Sequence, residues 1–169
     1  VFGQIEKILR KDGVIEQATR KRFNIYFLFS YQEHAHNIKV EINRRSFGSK
    51  FELKTYLGVS MLVMVKEDMF AHKLMAMYER IGKTSRDIFD VWYFLHNNWS
   101  INKTIVEQRA KMPFKELVDK CVVALEKLSN KKILEGIGEL LADDQKAWAR
   151  EKLRTDTIFL LKLKIETEG

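Results

Sequence analysis

The fold is decided at the stretch Ser60–Phe70, SMLVMVKEDMF, where one apolar pattern gives way to another. The residues up to Val65 are mostly apolar and include β-branched side chains, as in a short strand. The apolar positions after Lys66 have the i, i+4, i+7, i+11 spacing of a helical stripe: Phe70, Leu74, Met77 and Ile81. We therefore expect a strand to change into a helix near residue 65.

Upstream of this point the sequence favours strands. After a short amphipathic helix at Phe2–Arg10, apolar and polar residues alternate or β-branched and aromatic residues cluster in five segments: 14–19, 24–31, 38–42, 51–56 and 60–65. The loops between them are short. We expect four or five strands in one mostly antiparallel or mixed sheet.

Downstream of residue 65 the apolar period is helical throughout. After the helix that ends at Gly82, further helices are predicted over the following ranges: 84–95, 101–111, 113–129, 131–141 (a short one) and 143–164. The fold class is therefore α+β, a partial sheet followed by a helical domain. The predicted domains are residues 1–65 and 66–169.

Composition excludes several classes of protein. Of 169 residues, 46% are hydrophobic and 31% charged, which is typical of a globular protein. Cys121 is the one cysteine, so an internal disulfide is impossible and a cysteine-based zinc site is disfavoured. No apolar run approaches the roughly 20 residues of a membrane helix. With no signal peptide visible, we expect a cytoplasmic protein and no membrane partner.

The net charge is +7, which favours a polyanionic partner such as RNA or a phosphate-bearing substrate. Solubility is the alternative explanation, since the basic residues are spread along the chain rather than clustered.

Two sets of residues carry candidate chemistry. Lys39 and Glu41 lie on the polar face of the 38–42 strand, where a carboxylate suits a metal ligand or a general base. Spacing alone favours an ordinary exposed face. Asp87 and Asp90 are three residues apart on a largely apolar helix, so they share a face and need cations from Lys73, Arg80, Arg86 or a metal.

Other candidates have plainer explanations. Lys73 lies at the edge of the apolar stripe, where a lysine reaches either a phosphate or simply water. For Asp87 a helix-capping role stays open. His34 and His36 have the spacing of a metal pair, but no third ligand is indicated, and a polar turn is favoured.

Taken in order, three segments of the chain resemble the AbiEii/AbiGii toxin family of the nucleotidyltransferase (polymerase-β-like) superfamily. They are IKVEI at 38–42, VMVKEDMFAHKL at 63–74 followed by Tyr78-Glu79-Arg80, and SRDIFDVWYFL at 85–95. The resemblance covers roughly residues 1–115 and is strongest from 60 to 95.

The resemblance implies nucleotidyl transfer from a nucleoside triphosphate (NTP) to an acceptor, either an RNA such as tRNA or a protein. It implies that Glu41 helps to hold Mg²⁺ and that Lys73 contacts the triphosphate, with Lys39 and Arg86 as further nucleotide contacts. Asp87 and Asp90 would organise the pocket, as a base or by fixing Lys73. A cognate antitoxin is an expected partner.

One part of the family pattern is missing from this sequence. The family carries a Gly-Gly or Gly-Ser turn followed by an Asp-x-Asp pair that holds metal and nucleotide, and the 169 residues contain no such motif. Because the chain starts at Val and helix 2–10 resembles the one that follows the motif, we expect the motif upstream. We predict that this polypeptide alone has no metal-dependent transferase activity.

The alternative hypothesis is a non-catalytic module that binds RNA or an antitoxin through helices 101–164. A truncated sheet would also expose an edge and an apolar face, which makes a homo-oligomer plausible.

Overall fold

A computed structural model describes residues 1–168, and it confirms the α+β class. The chain divides into two compact units, Val1–Ser46 and Phe47–Gly169. Both sheets are small and antiparallel.

The N-terminal unit packs one helix on a three-stranded sheet of order β1-β2-β3. Its elements are α1 (Phe2–Asp12), β1 (Val14–Arg20), β2 (Asn24–Ser30) and β3 (Ile38–Asn43). Residues Ile25, Phe27 and Phe29 alternate along the central strand and are buried. The Phe2 ring from α1 lies 4.8 Å from the Phe27 ring, measured between centroids.

Gly13 makes the tight junction between α1 and β1 possible. A Cβ atom at this position would lie 2.2 Å from the carbonyl oxygen of Ser30, which is far inside van der Waals contact. The close approach of the two backbones therefore requires glycine.

The C-terminal unit begins with a hairpin and continues as helices. Its elements are β4 (Phe51–Tyr56), β5 (Val59–Met64), α2 (Lys66–Arg80), α3 (Arg86–His96), α4 (Lys103–Ala110), α5 (Phe114–Glu126), α6 (Asp143–Trp148) and α7 (Arg154–Glu168). Helix α2 packs on α3 and α4, and α7 packs on α3 and α5. Their apolar faces form one core that includes Leu74, Ile88 and Leu117.

Five strands are present as predicted, but they form two sheets where one was expected. Strands β4 and β5 belong to the same compact unit as the helices. The change from strand to helix therefore lies at residue 65, whereas the boundary between compact units lies at Ser46. The domain division at residue 65 stays a prediction.

The helix predicted over 131–141 is wrong. Two single 3₁₀ turns, Asn130–Lys132 and Gly138–Leu140, occupy this region. Gly136 between them has a φ of +78°, a left-handed conformation that ends a helix and that glycine adopts without strain.

The helix predicted over 143–164 is interrupted by a π turn at Ala149–Leu153, between α6 and α7. The buried positions here repeat every four residues: Ala149, Leu153, Thr157 and Leu161. A four-residue repeat drifts around an α-helix of 3.6 residues per turn, and one wider π turn offsets part of that drift.

Candidate functional site

The sequence candidates fall into both compact units, and the structure gathers two groups of them. Lys39 and Glu41 lie in the N-terminal unit, while Lys73, Asp87 and Asp90 lie in the C-terminal unit.

The C-terminal group is a network of ion pairs between α2 and α3. Lys73 Nζ lies 2.5 Å from Asp90 Oδ2 and 3.8 Å from Asp87 Oδ1. Arg80 Nη2 donates a 2.9 Å hydrogen bond to Asp87 Oδ1 and lies 2.8 Å from Oδ2. Lys73 and Arg80 are seven residues apart, two helical turns, so both project from one face of α2.

Burial separates the members of this network. The Asp87 side chain is 3% exposed, whereas those of Lys73 and Asp90 are 32% and 27% exposed. A buried carboxylate requires cationic partners, and Asp87 has two of them. Asp87 Oδ2 has no hydrogen bond of good geometry within the described chain, so its contact with Arg80 is electrostatic.

Geometry leaves Lys73 with capacity for a ligand. An ammonium group has three donors, and the hydrogen bond to Asp90 takes one of them. About a third of the Lys73 side chain is exposed to solvent. Lys73 is thus held beside α3 by Asp90 and keeps part of its side chain exposed.

Arg86, one of the cations expected to pair with Asp87, has no ion pair with it among the described residues. Its side chain is exposed, and the cations beside Asp87 are Arg80 and Lys73 instead. The backbone N–H of Arg86, the first residue of α3, donates to Thr84 Oγ1 at 3.4 Å. Asp87 itself bonds Arg80 and not the helix terminus.

The N-terminal group lies on the polar face of the three-stranded sheet. Lys39 Nζ lies 2.6 Å from Glu41 Oε2, and Asn24 Nδ2 donates to Glu41 Oε1 at 2.5 Å. Lys39 and Asn24 lower the pKa of the Glu41 carboxyl below its usual range, because both interact with the charged form. The same ion pair raises the pKa of Lys39.

This polar face is concave. An open depression of about 230 Å³ is lined by Gln17, Thr19, Lys21, Asn24, Tyr26 and Glu41. Glu41 lies directly opposite Tyr26 in the β2–β3 register, so carboxylate and aromatic ring share this face.

Magnesium is the cation that the resemblance implies, and the described residues do not form a site for it. Among the side chains that the structure describes, no group of three histidine, cysteine, aspartate or glutamate residues has the arrangement of a metal site. Glu41 offers a single carboxylate that Lys39 and Asn24 already engage. His34 lies in an exposed turn, as the polar-turn interpretation expects.

A third polar network was not found from the sequence. Asp68, 1% exposed, accepts hydrogen bonds from the Lys50 backbone N–H at 2.6 Å and from Asn102 Nδ2 at 2.7 Å. It therefore ties the start of α2 both to the segment before β4 and to the residue that caps α4.

His72 and Arg109 extend this network. His72 Nε2 lies 2.7 Å from Ser49 Oγ, and His72 Nδ1 lies 2.8 Å from Arg109 Nη1. Burial and the nearby Arg109 charge lower the pKa of His72. No periodic or motif signal in the sequence distinguishes this histidine from an ordinary helical one, because its partners come from distant segments.

One comparison with known proteins gives a match. The profile of the family described as "Nucleotidyl transferase AbiEii toxin, Type IV TA system" matches residues 2–157. The chain belongs to this family. No curated protein and no solved structure matches it.

Family membership makes the chain part of a group of nucleotidyltransferase toxins of toxin–antitoxin systems. It confirms the resemblance and extends it from about residue 115 to residue 157. In the part of the chain that the structure describes, no helix is long and apolar enough to span a membrane.

Proposed function

We propose that the C-terminal unit holds the triphosphate of a nucleotide at Lys73, as part of an AbiEii-type enzyme that transfers a nucleoside monophosphate to RNA, such as tRNA. The observation that carries this proposal is the position of Lys73 between Asp90 and Asp87. A lysine that binds phosphate acts as a point charge, and its position decides where the phosphate lies.

Asp87 and Asp90 have different roles in this proposal. Asp87 is buried behind Lys73 and is paired with Arg80, so it acts as a positioning residue that fixes the two cations. Asp90 is partly exposed and bonded to Lys73, so it is the carboxylate within reach of a substrate.

In the transfer itself, an acceptor hydroxyl attacks the α-phosphorus, a new phosphorus–oxygen bond forms, pyrophosphate leaves and a base takes the hydroxyl proton. Cations on the phosphates stabilise the charge that develops. Lys73 supplies one such cation, and we further propose Lys39 and Arg86 as nucleotide contacts. The basic balance of the chain suits an RNA acceptor.

Nucleotide affinity tests the role of Lys73. We expect Lys73→Ala to weaken NTP binding by about 10–100-fold, the cost of one charge-assisted hydrogen bond. Lys115→Ala removes an exposed lysine from α5 and is the matched control. Equal affinity of the two variants for NTP would contradict the proposal.

The 169 residues include no Asp-x-Asp pair, so we propose that this polypeptide by itself does not catalyse metal-dependent transfer. The test incubates the chain with each α-labelled NTP, Mg²⁺ and total tRNA. No label is expected on the RNA or on the protein, and labelled product would overturn this part of the proposal.

The same absence favours a second candidate, a non-catalytic module that binds RNA or an antitoxin. RNA binding that falls with salt and does not change when nucleotide is added would support it. Loss of that binding in Lys73→Ala would instead link RNA to the nucleotide site.

A further inference from the structure

The β4–β5 hairpin is an unusual element because it forms a sheet of two strands with most of its side chains exposed. A two-stranded hairpin is marginally stable in water unless further strands or a helix cover it. Large apolar side chains lie on its surface, among them Leu53 at 68% and Leu62 at 72% exposure. The hairpin thus has the apolar composition of a strand pair that packs against another element.

Register divides the hairpin into two different faces. Phe51 lies opposite Met64, Leu53 opposite Leu62 and Thr55 opposite Ser60, so one face carries no charge. The other face carries Glu52 and Lys54, whose charged groups lie 3.2 Å apart.

The outer edge of β4 is open. Within residues 1–168 this strand pairs with β5 and with no other strand. An unpaired edge offers a row of backbone donors and acceptors to another strand. The sequence of β4 specifies which strand would fit there.

We propose that a second copy of this chain pairs its β4 antiparallel with β4 of the first, around a two-fold axis at Leu53. In this register Glu52 lies opposite the partner's Lys54, and Lys54 lies opposite the partner's Glu52. Leu53 meets the partner's Leu53, and Phe51 meets the partner's Thr55. Strand β4 is therefore complementary to itself in charge as well as in apolar contact.

The pairing joins two hairpins into one four-stranded sheet with the order β5-β4-β4-β5. The uncharged faces of both hairpins then form one continuous surface, and each open β4 edge is satisfied by the other. The interface is isologous, so each attractive ion pair occurs twice.

Sedimentation equilibrium of the 169-residue chain tests the proposal. We expect a concentration-dependent species at twice the 20.0 kDa chain mass. Glu52→Lys and Lys54→Glu each place two like-charged pairs at the interface, and each should weaken the dimer by about tenfold or more. An equimolar mixture of the two variants restores opposite charges at both pairs and should form a heterodimer of wild-type affinity.

Two controls separate this register from a general effect of charge. Glu116→Lys and Lys120→Glu reverse an exposed ion pair on α5 and change the net charge by the same amounts. They should leave the dimer unchanged, and circular dichroism of all variants checks that they fold.

The proposal is overturned by a chain that stays monomeric at all concentrations. It is equally overturned by single reversals that leave the dimer intact, which would locate the interface elsewhere, such as on the uncharged face. A mixture that fails to restore affinity, or α5 controls that weaken the dimer, also contradicts it.

Discussion

Two regions of the molecule present a lysine beside a carboxylate at almost the same distance, in different surroundings. The Lys39–Glu41 pair of the N-terminal unit is separated by 2.6 Å, and its side chains are 59% and 44% exposed. The Lys73–Asp90 pair of the C-terminal unit is separated by 2.5 Å and lies beside Asp87, which is 3% exposed.

The difference shows that solvent exposure decides how much an ion pair contributes to stability. Exposed pairs contribute little to stability, because water screens them and solvates each partner when they part. Lys39 and Glu41 can therefore separate at little cost in free energy. Asp87 cannot, since its removal from its cations would leave a charge without solvent.

The largest effect on stability is expected from a substitution at Asp87. We expect Asp87→Ala to lower the free energy of unfolding by about 1.5–3 kcal/mol, because a buried hydrogen bond to a charged group is lost. Urea unfolding of the variant measures this change in free energy. Asp119→Ala, which removes an exposed carboxylate from α5, is the control. An equally small effect of both substitutions would show that the burial of Asp87 does not contribute to stability.

The partly buried His72 side chain gives a second, smaller effect that depends on pH. The pKa of His72 is lowered in the folded protein, whereas in the unfolded chain it returns to about 6.5. The unfolded chain therefore binds a proton more readily than the folded protein. The free energy of unfolding should therefore fall as pH decreases from 7.5 to 5.5.

Substitution identifies the group responsible for this slope. His72→Gln should flatten the dependence, while His36→Gln removes an exposed loop imidazole and serves as the control. A slope that survives in His72→Gln would assign the pH dependence to other groups.

The smallest effect is expected in the exposed region. Glu41→Gln should change the free energy of unfolding by less than about 0.5 kcal/mol, because the pair it breaks is open to solvent. If Glu41→Gln destabilised the protein as much as Asp87→Ala, the contrast between the two regions would be wrong.

Local patterns predicted much of the fold. The alternation of Ile38, Val40 and Ile42 and the helical stripe beginning at Phe70 place strands and helices close to their actual positions. The division of five strands into two sheets was not predictable, since pairing depends on contacts between distant segments. The π turn was missed because its cause is a four-residue burial repeat that resembles an ordinary helix.

The sequence predicted which residues belong to the candidate site, but it did not predict which of them contact one another. The spacing of Asp87 and Asp90 indicated a need for cations, but it left Lys73, Arg80 and Arg86 as equal partners. The choice of Arg80 follows from its position two turns after Lys73 on α2. The Asp68–His72–Arg109 network has no counterpart in the sequence pattern, because its members are up to 41 residues apart.

Site-resolved lysine acetylation tests most directly the proposal that a nucleotide triphosphate lies against Lys73. The chain is treated with an acetylating reagent with and without saturating NTP, and mass spectrometry follows the rate at each lysine. NTP should slow the modification of Lys73 and leave the rate at the exposed Lys115 unchanged. Bound NTP with an unchanged rate at Lys73 would contradict it.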